Sequence, residues 1–127
     1  MVEPRPPGWS TITPRLVTPD VGGLVAFLKA AFDAQGELQS GRPTELRIGD
    51  SMLMVSDGGD IRGPMPAFLH LYVADADAAF TRAIAAGAQT VEAPADMPYG
   101  DRRATVSDAW GNLWQFATFQ GAKAAGG

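Results

Sequence analysis

The chain has 127 residues, of which 46% are hydrophobic and 19% charged, with no cysteine and a formal net charge of −4. That length suits one domain, or two small modules sharing a core, and the composition is that of an ordinary globular protein rather than a disordered or collagenous chain. The acidic balance and the lack of a dense lysine or arginine cluster argue against a nucleic-acid partner, and the missing cysteine removes disulfides, thiolate nucleophiles and cysteine metal sites. No run of ~18 apolar residues occurs, so no membrane partner is expected, and the opening MVEPRPPGWS lacks the apolar stretch of a secretion signal, so the expected location is cytoplasmic.

Residues 1–10 form a proline-rich arm, expected to be extended because proline fixes φ and withholds a donor. Residues 11–57 make a first module. Within it PRLVTPD predicts a short strand ending in Asp20, a helix N-cap, with Val21, Leu24, Val25, Leu28 and Phe32 following at helical spacing. GELQS, TELRI and SMLMV then read as strands, and IGDSM supplies a hairpin turn. Residues 58–66, rich in glycine and proline, form a linker.

The second module, residues 67–120, repeats the plan. FLHLYVAD is a strand ending in Asp75, and Ala76, Ala79, Phe80, Ala83 and Ile84 form one helical face that Gly87 closes. QTVEA, RATVS and LWQFATF are strands, with a turn in AWGNLW. Residues 121–127 form a flexible tail. The internal repeat is therefore βαβββ, and the expected fold class is α+β: two paired βαβββ modules making a curved mixed sheet cup with helices outside.

Alternation along the strands sorts the faces. Leu69, Leu71, Val73, Trp114 and Phe116 are expected beneath the helices, and His70, Tyr72 and Gln115 on the opposite face. Arg15, Val17, Leu53 and Val55 are the expected counterparts in the first module. His70, the only histidine, is either a hydrogen-bonded strand residue or a general acid or base. Ser51 in GDSM lacks the partners of a nucleophile, because Ala67, three residues before the histidine, is not an acid. Tyr99 stands on a loop between strands, where it is placed to lid a cavity.

The strand-Asp-helix opening LHLYVADADAAFTRAIAAGAQTV and the ending YGDRRATVSDAWGNLWQFAT resemble the vicinal oxygen chelate superfamily of glyoxalases, dioxygenases and bleomycin resistance proteins. ELRIGDS with GDR and GNLWQFAT is most similar to its PhnB-like branch. In metal-using members four side chains converge, typically His, Glu, His or Gln, and Glu; carried onto this chain, those positions are Arg15, Leu53, His70 and Gln115. Pro43 stands where the PhnB-like branch often has a second histidine. A divalent cation ~4 Å from Arg15 would meet repulsion on the order of 8 kcal/mol at an effective dielectric of 20, so no metal and no cofactor are expected unless Glu45 supplies a carboxylate.

The resemblance implies a homodimer, with the arm around Trp9 as a clasp. It also implies a small-molecule ligand in the cup: the leading expectation is a metal-free binding protein for a hydrophobic or aromatic organic molecule, contacted by Arg15, Leu53, His70, Tyr72, Tyr99 and Gln115. The alternative is a glyoxalase-like lyase, isomerase or dioxygenase, metal-dependent or with His70 as the catalytic acid/base. A third possibility is a protein that only associates, its cup filled by Leu53, Val55 and Tyr72.

Overall fold

The computed structural model describes residues 4–59 and 61–121; residues 1–3 of the expected arm, residue 60 of the expected linker and all of the expected tail after Gly121 lie outside the described residues. The chain divides into two compact units, the first ending at Met65 and the second beginning at Pro66.

In the first unit, β1 (Arg15–Val17) leads into α1 (Val21–Phe32), followed by β2 (Thr44–Ile48) and β3 (Ser51–Ser56). The carboxylate of Asp20 accepts the Gly23 N–H at 3.0 Å, satisfying one of the donors that a helix start leaves open. Leu24, Val25, Phe27, Leu28, Ala31 and Phe32 are the buried side of α1. The strands lie in the order β1-β3-β2, with β1 parallel and β2 antiparallel to β3. Ile48 pairs with Ser51, leaving Gly49 and Asp50 as a two-residue turn, and Gly49 takes φ 59, a conformation glycine adopts without steric cost.

The expected strand GELQS is absent. Only Gln35 bridges to Arg47, and 36–43 run as loop, with the Gln39 N–H tied to Thr44 Oγ1 at 2.9 Å. The bend follows from Gly36, at φ 140, whose missing side chain lets the backbone sit against the Glu45 carbonyl: a Cβ there would stand 2.5 Å from that oxygen. The first unit is therefore βαββ.

The second unit follows the expected βαβββ plan. It consists of β4 (Phe68–Tyr72), α2 (Ala76–Ala85), β5 (Gln89–Asp96), β6 (Asp101–Ser107) and β7 (Leu113–Phe119), with strand order β4-β7-β6-β5. Asp75 caps α2 by accepting the Ala78 N–H at 3.1 Å. At the other end Ala88 N–H reaches the Ala83 carbonyl and Gly87 N–H the Ile84 carbonyl, the paired bonds of a Schellman cap, with Gly87 at φ 105. Trp114 and Phe116 are fully buried, in the core as expected. The fold class is thus α+β, with two open mixed sheets and two helices. Among the described residues no helix is long and apolar enough to cross a membrane.

Candidate functional site

The turn from Asp108 to Asn112 positions the last strand. Asp108 is buried, and its carboxylate collects four donors: the backbone N–H groups of Trp110 and Asn112, the Asn112 amide at 2.9 Å and the Trp114 indole at 2.8 Å. Asn112 Oδ1 in turn accepts the Ala67 N–H at 2.9 Å, just ahead of β4. A carboxylate with four donors is locked in place, so the start of β7 is set against the start of β4. Their parallel register then brings His70 beside Gln115.

From that pair a chain of hydrogen bonds runs across the open face of the second sheet. His70 Nδ1 lies 3.1 Å from Gln115 Oε1; Gln115 Nε2 donates to Thr105 Oγ1 at 3.4 Å; the Thr105 hydroxyl donates to Glu92 Oε1 at 2.5 Å. Arg103 donates to Glu92 Oε2 at 2.8 Å and to the Tyr99 hydroxyl at 3.2 Å. The hydrogen bond from Thr105 and then that from Arg103 hold the Glu92 carboxyl below its ordinary value, so it is ionised at neutral pH. The same carboxylate raises the Arg103 guanidinium.

An ionised carboxylate only accepts, and this fixes the direction of every bond in the chain. Thr105 must spend its proton on Glu92, so its oxygen receives the Gln115 amide. Gln115 therefore turns its carbonyl to His70, which carries its proton on Nδ1. In the neutral ring Nε2 keeps its lone pair, on an exposed side chain. The Tyr72 ring meets the imidazole edge-to-face, centroids 4.9 Å apart, and Tyr72 and Phe68 are 69% and 61% exposed.

Of the expected site residues, His70, Tyr72, Tyr99 and Gln115 are brought together here. Glu92, Thr105 and Arg103 were missed. Thr105 is signalled by its pairing with Gln115, but Glu92 reaches the face only through a bulge: Thr90 pairs with Val106, yet Glu92 pairs with Thr105, so Val91 is extra.

The first unit corrects one expectation. Arg15 pairs with Met54, and Glu45 also pairs with Met54, so these three share the open face. Leu53 pairs with Leu46 and is 5% exposed; Val55 pairs with Leu16 and is fully buried. Leu53 and Val55 therefore belong to the core face, because Leu16, Leu46 and α1 offer apolar partners only on that side. Met54 takes the position beside Arg15 that Gln115 takes beside His70.

Neither unit by itself offers donors that fit a metal ion. In the second, both Glu92 oxygens are engaged and the Gln115 carbonyl faces an N–H; in the first, Arg15 is a cation and the Met54 thioether beside it suits only soft metals. No group of three or more His, Asp or Glu side chains among the described residues is arranged to hold one.

Two units, each running strand, helix, strands, with the first and last strands side by side and parallel, make the vicinal oxygen chelate fold. The sequence profile of the Glyoxalase/Bleomycin resistance protein/Dioxygenase superfamily matches residues 15–116, and the chain belongs to that superfamily. An uncharacterized protein of Mycobacterium bovis is 34% identical over 123 residues, covering 81% of this chain and 79% of that one. TioX from Micromonospora sp. ML1 is similar in structure, with a TM-score of 0.74 at 29% identity over 86% of this chain and 98% of that one. A gene product of Arabidopsis thaliana gives 0.66 at 30% identity, over 86% and 97%.

Proposed function

We propose that this chain is a metal-free binding protein for a small hydrophobic or aromatic organic molecule, of the PhnB-like branch and acting as a homodimer. One observation carries the reading: on the open face of the second sheet, exposed aromatic rings of Phe68, Tyr72 and Tyr99 flank polar groups whose directions are fixed by Glu92. Apolar walls with a few oriented donors and acceptors are what small-molecule recognition requires. Bleomycin resistance proteins within the matched superfamily support it.

The lone pair on His70 Nε2 favours one second reading, a glyoxalase-like lyase, isomerase or dioxygenase acting on a small oxygenated substrate with His70 as the acid/base. Calorimetric titration of His70→Gln and Tyr72→Ala with aromatic probes separates the two. The binding reading expects both substitutions to weaken affinity; a His70→Gln protein with unchanged affinity and abolished turnover establishes the enzyme instead.

A further inference from the structure

The first unit contains a cavity of about 620 Å³, bounded by the start of α1, the loop 38–43 and the end of β3. That is room for one drug-sized molecule. Its accessible apolar lining comes from Val21, Leu38 and Pro43, and its charges from Arg15, Arg42 and Asp57.

The two arginines differ from those of the second unit. Arg102 pairs with Asp77 and Asp96, and Arg103 with Glu92, whereas neither Arg15 nor Arg42 has an ion pair among the described residues. Among the described residues Arg15 spends only its Nε, on the Ser56 hydroxyl at 3.0 Å, leaving both terminal nitrogens for another acceptor. Arg42 is held at Nε and one terminal nitrogen by the neutral carbonyl of Gln39. Asp57, the acidic group on the wall, turns one oxygen to the Gly59 N–H at 2.9 Å, within its own loop. In a chain of net charge −4, two cations with no ion pair among the described residues stand on the wall of one cavity that also has apolar lining.

We infer that this cavity takes an organic anion, an aryl or alkyl carboxylate. Arg15 and Arg42 hold the carboxylate, and Val21, Leu38 and Pro43 cover the apolar body. A guanidinium presents its donors in a planar fork matched to a carboxylate, which sets this class above a neutral amide or an amine. The inference rests on the reading of the chain as a small-molecule binder and adds to it a site in the first unit, with the chemistry of the ligand that site takes.

The test is calorimetric titration of the whole protein with 1-naphthoate, phenylacetate and octanoate, each beside its neutral amide. Wild type is expected to bind at least one acid about tenfold or more tightly than its amide. Arg15→Gln and Arg42→Gln should each remove about tenfold of that affinity, consistent with loss of one charge-assisted contact, while circular dichroism and thermal midpoint stay unchanged. Equal affinity for acid and amide, or arginine variants that bind as wild type does, overturns the carboxylate assignment and leaves the binder reading standing. Silence from every acid and amide likewise overturns the carboxylate site, while the binder reading stands or falls by the His70→Gln and Tyr72→Ala titrations.

Discussion

Replacing Asp108 by alanine removes the acceptor on which the β6–β7 turn is built. Four donors lose their partner. The Trp110 N–H is only part-buried, so water replaces some of its loss; the Asn112 N–H, the Asn112 amide and the Trp114 indole are buried, and water does not reach them. Hydrogen bonds to a charged group contribute about 1.5–3 kcal/mol each. Counting only the two buried side-chain donors at the lower end already gives a destabilisation of about 3 kcal/mol for Asp108→Ala. Asp108→Asn keeps one oxygen for the backbone pair but turns an NH₂ toward the other two donors, and should cost about 2 kcal/mol. Urea unfolding followed by far-UV circular dichroism measures both, through a lower midpoint at unchanged slope. A loss below about 1 kcal/mol for Asp108→Ala would refute the view that this carboxylate organises the turn.

The direction of the hydrogen-bond chain is open to direct measurement: ¹⁵N NMR of neutral His70 should show the Nδ1–H tautomer, and Thr105→Val, which cuts the chain between Gln115 and Glu92, should mix the two tautomers; a predominant Nε2–H form in wild type would contradict the chain. Stability should also depend on pH through Glu92 and Asp77, whose carboxyls lie below their ordinary values of 4.5 and 3.8, lowered chiefly by bonds from Thr105 and Arg102 respectively. Because the folded state holds these protons less tightly than the unfolded chain, their contribution is complete above the ordinary values and is lost as pH falls through the lowered ones. Glu92→Gln should flatten that acid slope in a series of unfolding midpoints, and an unchanged slope would remove Glu92 from the explanation.

Much of the architecture could be read from the residues. Asp20 and Asp75 announced both helices, Gly87 the end of the second, and Trp114 and Phe116 the core, because each of these signals is local. The site was half legible. His70, Tyr72 and Gln115 alternate cleanly with apolar neighbours, so their face was unambiguous. SMLMVS is apolar on both parities, and nothing in its own pattern chooses between Leu53 and Met54; the choice is made by pairing with Leu16 and Leu46 on other strands. Glu92 was hidden for a different reason. Strict alternation in QTVEA puts it on the face of Thr90, and the extra residue Val91 reverses it. The strand expected in GELQS failed because Gly36 turns the chain away after a single bridge.

The metal-free reading is tested most directly by titrating the purified protein with zinc, nickel and manganese in the calorimeter. With Glu92 committed to Thr105 and Arg103 and the Gln115 carbonyl turned to an N–H, no site tighter than about micromolar is expected. One ion bound per chain at nanomolar affinity, and lost in His70→Gln, would contradict it.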